Sequence, residues 1–297
     1  MKKYIVTGGA GFIGSNAVDV LINAGHEVHV IDNLSGGNES NINPKAIFHK
    51  ADIRNLEEIK PFFVGIDGVF HFAALPRVQY SIEHPIETNE VNINGTQNVL
   101  IAAELAGVKR VVYSASSAAY GDQAAMPLVE TMLPQPLSPY GMQKYVGEHI
   151  CRIWSVIHGI ETVSLRYFNV YGPRQSDEGA YALVIARFLK QKKEGQKMTI
   201  TGDGLQTRDF THVRDVVQAN ILAMESDKVG NGEVMNIGGG EEHSVLEIAQ
   251  MIGGEYEFIA PRIEPRHTLA NTTLAKKLIG WEPQEDFVKG VEELKIN

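Results

Sequence analysis

A doubly wound parallel α/β sheet followed by a smaller mixed α/β C-terminal unit is the fold this sequence predicts, and three observations predict it. Short Val/Ile-rich runs alternate with helical patterns through the first half of the chain, the mark of repeated βα units and a parallel sheet. The first run meets the first helical pattern through a glycine-rich turn, Gly8-Gly9-Ala10-Gly11-Phe12-Ile13-Gly14. The alternation then breaks after Asn169, where Gly172-Pro173 and a polar stretch intervene.

The elements follow in order. Residues 2–7 read as a short buried strand, and Val18, Leu21 and Ile22 continue a helical pattern to Gly25. Further strands are expected at 27–31, 46–51, 68–73, 110–115 and 161–167, with helices between them, one of them over 89–106. Ser138 supplies an N-cap and Pro139 the first helical position, so a helix starts there and runs through Val146, Ile150, Ile153, Trp154 and Ile157. A helix at 181–194 and a strand at 197–201 open the smaller unit. A helix at 212–224 and a strand at 234–237 return to the main sheet, and the remainder rejoins the cap. The expected division is 1–168 plus about 212–240 for one domain, and 169–211 plus about 241–297 for the other.

At 297 residues, with 43% hydrophobic and 21% charged content, the chain can bury a sizeable core. Its apolar runs are too short to span a bilayer, and Lys2-Lys3 lead directly into a strand pattern, so neither membrane insertion nor export is expected. The single cysteine, Cys151, sits on a predicted helix as a packing residue, in keeping with a reducing cytosol. A formal charge of −9 argues against nucleic acid or an anionic membrane as partner and leaves small molecules or a second copy of the chain. His71, His149 and His212 have no metal-ligand spacing, and no metal is expected.

Ligands of doubly wound sheets bind beyond the carboxyl ends of the strands. Those ends carry the glycine turn, Asp32, Asp52-Ile53, Phe72-Ala73-Ala74, Ser114 to Ser117, and Tyr167-Phe168-Asn169. The turn satisfies Gly-x-Gly-x-x-Gly through Gly9, Gly11 and Gly14, and Gly-x-x-Gly-x-x-Gly through Gly8, Gly11 and Gly14. Such glycines let the backbone turn tightly, approach a pyrophosphate and pack helix on strand. Asp32, closing the second strand, stands at the distance of an acid that binds an adenosine ribose 2′-hydroxyl. An acid there disfavours a 2′-phosphate, so the expected cofactor is NAD rather than NADP, on a Rossmann sheet.

Tyr140-Gly141-Met142-Gln143-Lys144, with Ser116 upstream, names an acid/base. A phenol titrates near pH ~10 in water, and an ammonium one helical turn away favours the phenolate.

With these residues in place, the chain resembles the extended short-chain dehydrogenase/reductase superfamily from end to end. Within it, the nearest likeness is to nucleotide-sugar 4-epimerases acting on UDP-glucose and UDP-N-acetylglucosamine. The matching motifs are Thr7 to Gly14, Asp32-Asn33-Leu34-Ser35, His71-Phe72-Ala73-Ala74, Asn92-Ile93-Asn94-Gly95-Thr96, Ser116 with Tyr120-Gly121, Ser138-Pro139-Tyr140 with Lys144, Arg166 to Gln175, and Gly202-Asp203-Gly204 with Arg208-Asp209-Phe210.

The resemblance implies an NAD-dependent inversion of sugar C4 through a transient 4-keto sugar. Tyr140 would move the 4-hydroxyl proton, Lys144 would hold the nicotinamide ribose, and Ser116 would bind the 4-oxygen. By the same likeness, Gly8, Gly11, Gly14, Phe12, Ile13, Asp32, Asn33, Asp52, Ile53, Phe72, Ala73, Ala74, Asn92, Ser114 and Tyr167 contact the cofactor. Ser117, Asn169, Gln175, Leu183, Val184 and Arg208 face the substrate. Family members carry a second diphosphate-binding arginine near the C-terminus, which Arg262 or Arg266 would supply. Thr268 falls at or next to a place where a bulky aromatic narrows the family's sugar pocket and a small residue admits an N-acetyl group, so UDP-GlcNAc and UDP-GalNAc join UDP-Glc and UDP-Gal as expected substrates. Related 4,6-dehydratases carry an Asp-Glu pair after the hydroxyl residue, and Ser117-Ala118 stand there instead. Decarboxylases of nucleotide-sugar acids need a glutamate near the serine, and none is seen. The family pairs the helices near 89–106 and 140–158 across a two-fold axis, so a homodimer is expected.

Overall fold

The computed structural model describes residues 1–176, 183–261 and 264–296. The β-branched runs form β1 (Lys3–Thr7), β2 (Glu27–Asp32), β3 (Ile47–Lys50), β4 (Gly68–His71), β5 (Arg110–Ser116) and β6 (Glu161–Tyr167). They are followed by the shorter β7 (Val170–Tyr171), β8 (Met198–Thr201), β9 (Thr207–Asp209) and β10 (Thr211–His212), then β11 (Asn231–Ile237), β12 (Glu242–Ser244) and β13 (Tyr256–Ile259). The helices are α1 (Phe12–Asn23), α2 (Leu56–Ile59), α3 (Val78–Glu83), α4 (Pro85–Asn89), α5 (Thr96–Leu105), α6 (Pro139–His158), α7 (Val184–Lys193), α8 (Val213–Glu225), α9 (Val245–Ile252), α10 (Thr273–Ile279) and α11 (Phe287–Ile296).

Seven strands pair in the order β11-β6-β5-β4-β1-β2-β3, every neighbour parallel. The strand order reverses between β1 and β4, which opens a crevice at their carboxyl ends. Both faces of the sheet are covered, so its strands are apolar on both sides. Tyr4 and Val6 of β1 point into one core with Val18, Phe70, Val213 and Trp281, while Ile5 points into the other with Val69, Leu100, Tyr113 and Cys151. A third core, with Phe188, Ile200, Phe210 and Ile248, holds the smaller unit, where β13 pairs parallel to β8 and β12 antiparallel to β9. A capping box of Ser244 and Glu247 starts α9.

Three expectations are amended. The single helix over 89–106 is interrupted by a π-helical turn, Glu90–Gly95. Gly95 lets that turn press on Ile53, since a Cβ there would lie 2.6 Å from Ile53 Cδ1, and π-turns gather at functional sites. The strand at 68–73 ends at His71, because the Ala73 amide leaves the ladder for the Thr7 hydroxyl. Part of the C-terminal stretch packs on the main sheet rather than on the cap: Ala275, Ile279 and Trp281 enter the first core, and Trp281 Nε1 donates to the Asp215 carbonyl at 2.9 Å. The start of the helix expected at 181 lies outside the described residues; α7 is seen from Val184.

Candidate active site

The glycine turn joins β1 to α1 under tight steric control. Gly8 adopts φ +70°, and a Cβ on it would lie 2.7 Å from the Ala73 nitrogen. A Cβ on Gly14 would lie 2.2 Å from the Gly8 carbonyl oxygen. Gly11 caps α1 with no side-chain hydrogen bond, so the amides of Phe12, Ile13 and Gly14 head the helix without an acceptor inside it. Backbone donors at a helix N-terminus, with no side chain over them, fit a pyrophosphate.

Asp32 is buried at the end of β2. Its Oδ2 accepts from Ala10 N at 3.0 Å and its Oδ1 from Leu34 N at 2.8 Å, so it braces the turn and keeps a lone pair on each oxygen for a ribose hydroxyl. Burial raises its pKa, and the two amides oppose that rise. Asn33 Nδ2 donates to Asp52 at 2.9 Å, and Arg54 holds the Asp52 carboxyl down at about 2. Ile53 is buried beneath the π-turn. Asn92 is more occupied than the sequence suggests. Its two amide hydrogens go to the Leu75 carbonyl and to Gln143 Oε1, and its Oδ1 accepts from Leu75 N at 2.8 Å.

Ser116, Tyr140, Lys144 and Tyr167 lie at the ends of β5 and β6 and in the first turns of α6. Ser138 accepts from Gly141 N and caps α6 with Pro139 in its first turn, which sets Tyr140 half-buried beside Ser116. Burial raises the pKa of the phenol, and the neighbouring Ser116 hydroxyl opposes that rise without cancelling it. Ser116 Oγ also accepts from Ala118 N at 3.2 Å, at the head of the short turn Ser117–Ala119.

Lys144 is 3% exposed, lies 4.9 Å from the Tyr113 ring centroid and donates to the Ser114 carbonyl at 2.6 Å. Burial lowers its pKa to about 7. The expected depression of the Tyr140 pKa by Lys144 is not seen, because burial of the phenol dominates; one of the three ammonium donors goes to a strand carbonyl. Tyr167, at the end of β6, donates to Asn220 Oδ1 at 2.9 Å.

A second group borders the smaller unit. Asn169, at φ +28°, donates to the Asp209 carbonyl at 2.8 Å and reaches Thr268 Oγ1 at 3.5 Å. Thr268 is 8% exposed, and its carbonyl accepts from Asp209 N. Asp209 in turn accepts from the amides of Gly239, Gly240 and Ala270. Arg208 is ion-paired with Glu264 at 2.8 Å, and Arg266 makes two hydrogen bonds to Asp203 at 2.8 and 2.9 Å. Both arginines thus hold carboxylates in this structure. Leu183 precedes α7 and is half exposed, Val184 packs against the third core, and Gln175 Nε2 donates to the Val170 carbonyl. Arg262 lies outside the described residues.

Several supporting residues escaped the sequence reading. Glu148, one turn beyond Lys144 on α6, forms a buried two-point ion pair with Arg166 at 2.8 and 2.7 Å. Gly147 lets α6 sit on β5, since a Cβ there would lie 2.2 Å from Tyr113 Oη. A glycine inside a long amphipathic helix was the available signal for it.

Residues 4–238 match the NAD dependent epimerase/dehydratase family. The chain belongs to that family, within the extended short-chain dehydrogenases/reductases. It is 37% identical to a UDP-glucose 4-epimerase of Mycolicibacterium smegmatis over 97% of this chain and 96% of the relative. The UDP-glucose 4-epimerase of Thermotoga maritima, solved with UDP-glucose, superposes with a TM-score of 0.94 at 38% identity, covering 98% of this chain and 96% of that one. A UDP-N-acetylglucosamine 4-epimerase of Methanobrevibacter ruminantium, in complex with UDP-N-acetylmuramic acid, gives 0.93 at 35% identity, covering 98% and 96%.

Proposed function

We propose that this protein inverts C4 of a UDP-hexose, with NAD held across the carboxyl ends of β1, β2, β4, β5 and β6. The bond from Lys144, on the helix that carries Tyr140, to the Ser114 carbonyl, on the strand that carries Ser116, carries this reading, because two hydroxyls brought together beside a dinucleotide cradle are suited to moving one sugar hydroxyl proton in both directions. The amides that head α1 would hold the pyrophosphate, Asp32 the adenosine ribose, and Lys144 the nicotinamide ribose. When bound, NAD supplies the hydride acceptor and donor that the change at C4 requires.

Ser116 would hold the sugar 4-oxygen while Tyr140 takes the hydroxyl proton as the C4 hydride departs, so that a transient 4-keto sugar would result; once the sugar has turned over, Tyr140 would return the proton as the hydride comes back to the other face of C4. Asn169, Leu183, Val184, Arg208 and one of Arg262 and Arg266 would hold the nucleotide diphosphate. The small side chain of Thr268 leaves room for an N-acetyl group, which extends the substrates to UDP-GlcNAc and UDP-GalNAc. Ser117 and Ala118 offer no carboxyl acid or base, which disfavours dehydration. Exposed Ile153, Val156 and Ile157 on α6 favour a second copy of the chain as partner. Tyr140→Phe tests the assignment: turnover disappears and NAD stays bound, whereas loss of folding or of NAD would point to a structural role.

A further inference from the structure

Beneath the cofactor cradle runs a buried chain of hydrogen bonds. Ala73 N donates to Thr7 Oγ1 at 3.3 Å, and Thr7 Oγ1 lies 2.7 Å from His71 Nδ1. His71 Nε2 lies 3.0 Å from Thr96 Oγ1, which donates to the Asn92 carbonyl at 2.8 Å. Thr7, His71 and Thr96 are each no more than 1% exposed.

The chain has one direction that satisfies every member. Thr96 gives its only hydroxyl hydrogen to Asn92, so it meets His71 as an acceptor and the imidazole hydrogen sits on Nε2. Nδ1 then accepts from the Thr7 hydroxyl, whose oxygen takes the Ala73 amide. A hydrogen on Nδ1 would leave the Thr7 hydroxyl hydrogen without an acceptor among the described residues, at the cost of a buried unpaired donor. A doubly protonated ring meets the same conflict, and both burial and the nearby Lys144 ammonium disfavour its charge.

Three segments around the glycine turn are joined this way. Thr7 precedes Gly8, Ala73 packs where a Gly8 Cβ would stand, and Asn92 holds both polar backbone atoms of Leu75. We propose that His71 is a positioning residue for the cofactor cradle: its neutral, Nε2-protonated imidazole acts through Thr7 to hold Ala73 at the glycine turn and through Thr96 to tie that turn to the Asn92 segment. The inference rests on the reading of that turn as the NAD site.

Thr7→Val and Thr96→Val keep side-chain shape and cut the chain at either end. Each is expected to weaken NAD binding about tenfold, the size of one buried hydrogen bond, while kcat at saturating NAD stays within about twofold of wild type. In a His71→Phe background, either threonine change adds no further loss, because the chain is already cut. Nitrogen NMR of the wild-type imidazole should show the hydrogen on Nε2 and no titration between about pH 5 and 9. A ring protonated on Nδ1, or one that titrates in this range, overturns the proposal. So does wild-type NAD affinity in both threonine variants, or losses that add independently of His71. A wild-type protein that binds no NAD contradicts the functional reading itself; one that binds NAD no better than its threonine variants contradicts the positioning role alone.

Discussion

Lys144 Nζ donates to the Ser114 carbonyl at 2.6 Å, which ties the helix carrying Tyr140 to the strand carrying Ser116. Burial holds the Lys144 pKa at about 7, against an ordinary 10.5. The folded protein therefore carries fewer protons than the unfolded chain between those values, and this lysine makes stability rise with pH across that window. Below about 7 both states are charged and the dependence ends. Denaturant midpoints of NAD-free protein should climb from pH 7 towards 10.5 relative to Lys144→Met, which lacks this component. NMR of the lysine ε-methylene should report the same midpoint directly.

Gly147→Ala would set a Cβ 2.2 Å from Tyr113 Oη. Overpacking of this kind costs about 1–3 kcal/mol, so the urea midpoint should fall despite the better helix propensity of alanine. Tyr113→Phe in the same chain removes the colliding oxygen and should recover part of the loss.

Thr268 stands 8% exposed beside Asn169. If its small side chain makes room for an acetamido group, Thr268→Tyr should lower kcat/KM for UDP-GlcNAc by at least about tenfold more than for UDP-Glc. Equal losses on the two sugars would place the acetamido group elsewhere.

Arg208 is held by Glu264 at 2.8 Å, so a diphosphate would compete with that carboxylate. Glu264→Gln is expected to tighten UDP binding by about two- to fivefold, the size of a partly exposed ion pair. Arg208→Lys should weaken it, because a lysine cannot reproduce the planar fork of donors. Titration calorimetry with UDP reads both.

The sheet, and the placing of Ser116 on a strand next to the helix of Tyr140 and Lys144, were legible because their signals are local. Ser138-Pro139 marks a helix start, the glycine triplet marks a turn, and both acted as their neighbours in sequence dictate. The bond from Lys144 to the Ser114 carbonyl was not legible, because the i,i+4 rule gives a shared helix face but not the reach of a long side chain to the next strand. The π-turn at Glu90–Gly95 was invisible because one extra residue in a helix barely disturbs apolar spacing. Trp281 gave no hint of its core, since its partner Asp215 is remote in the chain. The same distance hid the pairing of Arg266 with Asp203 and the His71 chain, whose members come from three separate segments.

The most direct test incubates purified protein separately with UDP-Glc, UDP-GlcNAc and UDP-GlcA, without added oxidant, and resolves the C4 epimers. Conversion of UDP-Glc to UDP-Gal and of UDP-GlcNAc to UDP-GalNAc, both lost in Tyr140→Phe, is the expected result. No epimer from any of the three, or a product that has lost water or carbon dioxide, would contradict Tyr140 as a reversible proton carrier at sugar C4.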